Sequence, residues 1–280
     1  MNSLIADALN SQFPPLGIRR TMNLAPKALT FKKRVSVAGG WGCAMALLGQ
    51  AFQGRTVAFS SETCRCPGAT SGLGLKPSSF PFPGGELGTL RLLSCGNQGF
   101  PEGQKAISEL AAGRASPELI EEFSQGEGFK ASPELTIATF RTSPRIDPYP
   151  GYLEAKPLSD YDEPPEAVIF LVNALGLSAL TILTNFARAS WDNVILPFAS
   201  GCASVALYPL SQIKEAQPKA TVGLTDISAR LTLKPLLGHN FISWSAPYSL
   251  FLEMEENVPK SFLSRRAWSR LTREDLKRSA

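Results

Sequence analysis

Histidine is almost missing from this sequence: His239 is the only one among 280 residues. Metal centres built on several imidazoles are thereby excluded. His239 follows Gly238 in a turn-like stretch, and nothing in the sequence pairs it with a serine or cysteine as a catalytic base, so it reads as a surface or core histidine. Charge of one sign is lacking too. With 28 basic against 24 acidic residues the chain carries +4, too small an excess to imply a nucleic-acid partner without a concentrated patch. The nearest approach is the C-terminal run "KSFLSRRAWSRLTREDLKRSA", which reads as a solvated terminal helix. The opening "MNSLIADALNSQFPP" has no basic start leading into an apolar stretch and a small-residue cleavage site, so no secretory signal is expected and a cytoplasmic location is.

Unbroken hydrophobic runs are also absent. Val35 to Gly54, Ala167 to Ala187 and Asn193 to Ile213 lack formal charges, which is long enough to raise the membrane question. Each is interrupted by glycines, by Asn173 and Asn185, or by Pro197 and Pro209. A buried strand, a tight turn and a helix in succession give such windows, and no membrane span is expected. There is no G-x-x-x-x-G-K-[ST], and "GLGL" at 72–75 lacks the third glycine of a dinucleotide fingerprint. There is no C-x-x-C either.

What is present suits one folded domain over 1–280: 44 % of the residues are hydrophobic, enough for a sizeable core. "VSVA", "TVAF", "AVIFLV", "NVILPF" and "NFISWSAP" read as strands, and helical periodicity follows several of them. This alternation predicts an α/β (or α+β) fold, a mixed, largely parallel sheet with helices packed on it. Residues 104–125 predict two helices split near Gly113–Pro117, and "TSPRIDPYPGYL" reads as a proline-rich connector. Between 64 and 103 glycine and proline are dense, so 68–101 is expected to be a covering loop or flap without regular structure.

The five cysteines are odd in number and, in a reducing compartment, are not expected to form a disulfide framework. Gly42-Cys43-Ala44 and Gly201-Cys202-Ala203 share a context, each following an apolar strand and opening a helix. Unpaired amides and the positive end of the helix dipole at such a place favour thiolate over thiol, so both cysteines are expected to be nucleophilic or metal-ready. In "ETCRCPGAT", Cys64 and Cys66 project to the same side if extended, and Pro67-Gly68 frees backbone beside the second sulfur. Glycines next to cysteine ligands, Gly42, Gly68 and Gly201 here, let amides approach sulfur, and a Cys-Pro step is one element of ferredoxin-type ligation. Three or four thiolates form a soft site that favours an iron-sulfur cluster, or zinc as the alternative, over magnesium or calcium. The spacings of 21, 2, 29 and 107 residues match no compact module, and the bland reading is that the cysteines are small buried hydrophobes.

Two other constellations compete. "GGWGC" places glycines before a helix start, as an anion-binding turn does, and Trp41 beside Cys43 would shield a cluster or stack on a flat ligand if it is not a core aromatic. In "TDISAR", Asp226 and Arg230 stand four apart. An ion pair or a helix cap at Thr225 or Asp226 explains them, unless Arg230 reaches a ligand carboxylate.

"AVIFLVNALGLSALTILTNFARASWDNVILPFASGCASVALYPL", "VGLTDISAR" and "APYSLFLEMEENVPKSFL", with "GCAMALLGQAFQGRTVAF" and "CPGATSGLGL" in the first half, resemble the uncharacterised prokaryotic family called Domain of Unknown Function 169, the ArCR proteins. The likeness covers most of 3–271. It implies a soluble single-domain protein of anaerobe-rich distribution and carries over no activity. By resemblance the family's cysteines fall on Cys43, Cys66 and Cys202, while Cys64 and Cys95 look more individual. That favours three thiolates with one open position, Cys64 being a candidate fourth ligand. The leading expectation is therefore a cytoplasmic protein holding an iron-sulfur cluster or another soft metal, redox or small-ligand active. The rivals are a metal-free module for a small anionic ligand, using "GGWGC" and Arg230, and a thiol-dependent enzyme. A redox partner and a homo-oligomer stay open.

Overall fold

The run "AVIFLV" becomes the middle strand of a seven-stranded sheet. We describe the fold from a computed structural model, over residues 2–31, 43–64, 66–76, 84–113 and 117–279. The strands are β1 (Leu16–Thr21), β2 (Val57–Ser60), β3 (Tyr152–Pro157), β4 (Ala167–Val172), β5 (Val194–Ile195), β6 (Ala220–Gly223) and β7 (Ile242–Pro247), in the spatial order β2-β3-β1-β4-β7-β6-β5. A mixed sheet with helices on it was expected and is found. Its largely parallel character is corrected: five of the six pairings are antiparallel, and β5 with β6 is the parallel one. The misreading has a physical cause. All six residues of β4 are buried, Ala167, Ile169 and Leu171 in one core and Val168, Phe170 and Val172 in the other. A strand covered on both faces loses the apolar-polar alternation that usually marks an antiparallel neighbour.

One face of the sheet carries α1 (Leu4–Leu9), α8 (Ala174–Asn185) and α11 (Tyr248–Asn257), closed by α12 (Arg266–Ser279) through Trp268, whose indole N–H donates to the Ala8 carbonyl at 2.7 Å. The basic C-terminal run is thus helical as expected, with Arg265, Arg266 and Arg270 exposed. The other face carries α2 (Ala44–Phe52), α3 (Pro67–Gly72), α9 (Tyr208–Ser211) and α10 (Ile227–Leu237). A third, smaller core around Phe123 is built from α4 (Gly85–Leu92), α5 (Pro101–Ala112) and α6 (Pro117–Gln125), with α7 (Pro133–Thr142) against α4.

Two of the charge-poor windows resolve as read: β4 turns into α8, and β5 leads to a helical segment over Gly201–Ser211. The expected strand at Val35–Ala38 lies outside the described residues. Among the described residues, no helix is long and apolar enough to cross a membrane.

Two expectations are corrected further. The stretch 68–101 is not without regular structure, because α3 occupies its start and α4 its later part. Gly84 and Gly85, at φ 73° and 66°, make the left-handed entry into α4 that the glycine density had suggested would be only loop. The connector reading of "TSPRIDPYPGYL" hid β3, an inner strand, since "YLEAKP" carries two charges where a buried strand should be apolar. Glu154 is buried there and meets Lys156 Nζ at 3.1 Å, while that ammonium also lies over the Tyr161 ring at 4.4 Å from its centre. Buried charge is tolerated when paired in this way.

Candidate functional site

Three cysteines stand at helix starts on the same face of the sheet. Cys43 is the residue before α2, in extended conformation. Cys66 stands before α3, and Pro67 supplies the first helical residue, where its missing N–H costs nothing. Cys202 lies in the first turn of the Gly201–Ser211 segment and leads into a π-wound stretch, Ala203–Leu207. Pro209 follows it; a proline ring presses on the carbonyl four residues back, and wider winding relieves that contact. The π stretch is seated on the sheet by small buried groups. Ser245 Oγ donates to the Ser204 carbonyl at 2.6 Å, and a Cβ at Gly223 would stand 2.0 Å from Ser204 Oγ.

The start of α2 and the end of α3 meet around Gly201-Cys202. A Cβ at Gly201 would come within 2.9 Å of Met45 Sδ in α2, 3.0 Å of Ala229 Cβ in α10 and 3.1 Å of Leu224 Cδ2. A Cβ at Gly72, the last residue of α3, would stand 2.8 Å from the Ala203 amide nitrogen and 2.9 Å from Cys202 Cβ. Gly68 leaves the Cys66 sulfur room, a Cβ there being 3.6 Å from Sγ. Cys64 enters the same core just after β2, its amide donating to the Ser60 carbonyl at 2.9 Å. Residues 43, 64, 66 and 202, remote in sequence, thus share one core. Cys95 is exposed and does not belong to it.

Burial governs these thiols. It pushes Cys64 up to about 12, with Cys66 adding to the shift. Cys202 is driven well above the ordinary thiol range, first by burial and then by the charges of Cys43, Cys66, Asp226 and Cys64. Cys43 is raised by burial too, although the Met45 and Ala46 amides and the Thr232 hydroxyl pull the other way. The expectation that helix starts favour thiolate at Cys43 and Cys202 is therefore corrected for the metal-free chain. A helix dipole contributes about 0.3–2 kcal/mol, whereas taking a charge out of water costs several kcal/mol. Coordination reverses this logic, since a metal deprotonates its thiols outright. Among the described residues, no three or more His, Cys, Asp or Glu side chains are arranged to hold a metal ion as they stand.

A labelling experiment follows from the burial. In the metal-free, reduced protein near neutral pH, iodoacetamide is expected to modify Cys95 first and Cys43, Cys64 and Cys202 at least about tenfold more slowly, because the reacting species is an accessible thiolate. Peptide mass spectrometry against time reads this out. Faster modification of Cys43 or Cys202 than of Cys95 would instead favour the thiol-enzyme reading.

Trp41 and Gly42 lie outside the described residues, so the "GGWGC" turn is described only from Cys43 onward. Arg230 points its guanidinium to the chain end of its own helix, Nη1 donating to the His239 carbonyl at 3.0 Å, beside a small pocket lined by Leu171, Leu224 and Phe241. Asp226 is the cap of α10, as one of the sequence alternatives had it: Oδ2 accepts from the Ala229 amide at 3.3 Å. What sequence reasoning missed is that Asp226 is buried and electrostatically coupled to Cys43 and Cys202. Its cap position was readable from "TDISAR"; its surroundings, formed by residues as remote in sequence as Cys43, were not.

The pattern of the DUF169 family, described as uncharacterised ArCR, matches residues 4–257. The chain belongs to this family. Neither the curated proteins nor the solved structures yield a match. The ArCR match runs from α1 to the end of α11, so it takes in all four clustered cysteines and Asp226 and stops short of α12.

Proposed function

We propose that this ArCR protein binds an iron-sulfur cluster through Cys43, Cys66 and Cys202, with Cys64 or an exogenous ligand in the fourth position, and zinc as the alternative metal. One observation carries the reading: four cysteines from three distant parts of the chain lie on one face of one sheet, close enough that Cys202 feels the charges of the other three. Thiols gathered and desolvated in this way are poor nucleophiles without metal but soft ligands with it. Gly68 leaves room beside the Cys66 sulfur, and Gly72 lets the end of α3 come close to Cys202. The preference for a cluster over zinc rests on the Cys66-Pro67 step, which is one element of ferredoxin-type ligation. An open position would admit a small ligand or support electron transfer. The test is whether uptake of iron and sulfide by the anaerobic protein requires the three thiols together.

A further inference from the structure

The helices α4–α7 form an excursion of the chain with a core of their own. Around Phe123 they bury Leu92, Ala106 and Leu110, a cluster separate from the two cores that cover the sheet. The excursion stands on a narrow stalk. The chain leaves the sheet-bearing body at Gly74–Lys76 and returns at Tyr149, where the two passing segments pair in parallel. The Tyr149 amide donates to the Gly74 carbonyl at 2.8 Å, and the Lys76 amide to the Tyr149 carbonyl at 3.2 Å.

Beyond the stalk, the side-chain hydrogen bond and ring contacts that tie the layer to the body come, among the described residues, from the loop after α6. Glu127 Oε1 accepts from Ser228 Oγ in the first turn of α10. Phe129 meets Phe198 edge-on with ring centres 5.6 Å apart, and Lys130 Nζ lies 5.1 Å from the centre of the same Phe198 ring. The loop is fixed to the layer. The amides of Glu127, Phe129 and Lys130 donate to the Leu92 and Leu93 carbonyls at the end of α4, and Gly126 packs so closely on Gly96 that a Cβ there would stand 2.4 Å from the Gly96 nitrogen. What lifts this loop therefore lifts the layer.

The junction is sensitive to charge. Glu127 is half-buried, and desolvation raises its carboxyl, with Glu122 from α6 and Asp226 from the start of α10 adding to the rise. The cations of the adjoining elements are engaged elsewhere: Arg91 over the Phe100 ring, Lys130 over Phe198 and Arg230 on the His239 carbonyl. An ionised Glu127 is left with one hydroxyl and two like charges, and moving it into water relieves both its desolvation and the repulsion.

We infer that the α4–α7 layer is a lid hinged on the Leu75–Tyr149 stalk, latched by protonated Glu127 on Ser228 and released when that carboxyl ionises. Its docked edge rests on the first turn of α10 and on Phe198, three residues ahead of Gly201. The lid thus closes over the side of the molecule where α10 and the Gly201–Ser211 segment begin, and it requires no bound metal.

Hydrogen exchange of the full chain, read by mass spectrometry and corrected for the intrinsic pH dependence of amide exchange, tests the lid in wild type and Glu127→Gln, with circular dichroism verifying the fold. A carboxyl at about 7 when latched and 4.5 when free makes the open form about tenfold more populated, relative to the closed one, at pH 8 than at pH 6. Wild-type amides of residues 126–130 are expected to lose about tenfold in protection over that interval. They should be less protected than those of β4 at both pH values, because a lid opens without the whole fold. Glu127→Gln should show no such change, and Ser228→Ala, which removes the partner of the latch, should lower the protection of 126–130 already at pH 6. A wild-type loop indifferent to pH, an equal change in Glu127→Gln, or a loop as well protected as β4 would overturn the lid.

Discussion

Replacing Cys43, Cys66 and Cys202 together by serine is expected to abolish uptake of iron and sulfide by the anaerobic protein, while Cys95→Ser leaves uptake unchanged. The magnitude follows from what the metal must overcome. Removing the proton at pH 7 from a thiol held at about 12, as Cys64 is, costs about 7 kcal/mol at 1.36 kcal/mol per pH unit, and Cys202 lies well above its ordinary range as well. Structural metal binding by thiolates supplies about 10–16 kcal/mol, enough only if several sulfurs act together. A hydroxyl in their place is a poor ligand for a soft ion, so losing three donors should leave no measurable site. Single substitutions at 43, 66 or 202 should each cut retained iron severely, and Cys64→Ser less if an exogenous group can take its place. Serine in an apolar core costs about 1–3 kcal/mol per site. A triple Cys→Ala variant therefore accompanies the serine one, with the fold of each monitored by circular dichroism. Full uptake by either folded triple variant would contradict the proposed site.

The second large effect is on stability against pH and comes from Glu127. This residue follows α6, its amide donates to the Leu92 carbonyl at 2.6 Å, and its Oε1 accepts from Ser228 Oγ in α10. Burial raises its carboxyl from 4.5 to about 7, Ser228 opposes, and the charges of Glu122 and Asp226 add to the rise. The sign is fixed by which state holds more protons. Between about 4.5 and about 7 the folded chain keeps a proton on Glu127 that the unfolded chain has lost. Stability from this group is therefore complete below about 4.5 and declines as pH rises through about 7. The loss is on the order of 3 kcal/mol when complete. Glu127→Gln keeps an oxygen for Ser228 and removes the titration. In urea unfolding of the metal-free proteins, the variant should gain on wild type by roughly 2–3 kcal/mol between pH 5 and pH 8. Parallel pH dependences of the two proteins would show that Glu127 is not desolvated as described.

Much of the fold was legible in the sequence, because the signals it used are local. Periodicity found α2 and α8, Gly113–Pro117 separated α5 from α6, and Asp226 was readable as a cap. Strand direction was not legible, since β4 looks the same whether its covered faces belong to a parallel or an antiparallel sheet. Nor was β3, whose Glu154 and Lys156 become acceptable only through each other. For the site, position in the chain picked out thiols that the fold gathers in one core, Cys43, Cys64, Cys66 and Cys202. Their ionisation was misjudged, because a helix start is visible in sequence and the depth at which it is buried is not. The same limit hid Asp226 as a neighbour of the thiols, for that proximity arises from the packing of Gly201 between α2 and α10.

The central claim is that sulfurs from positions 43, 66 and 202 serve one metal centre. Its most direct test is the iron, acid-labile sulfide and zinc content of the wild-type protein purified without exposure to oxygen, read together with its visible spectrum. The account predicts iron and sulfide in near-equal amounts with sulfur-to-iron charge-transfer absorption, or zinc bound in fixed ratio to the chain. A folded, colourless protein free of iron and zinc would contradict it.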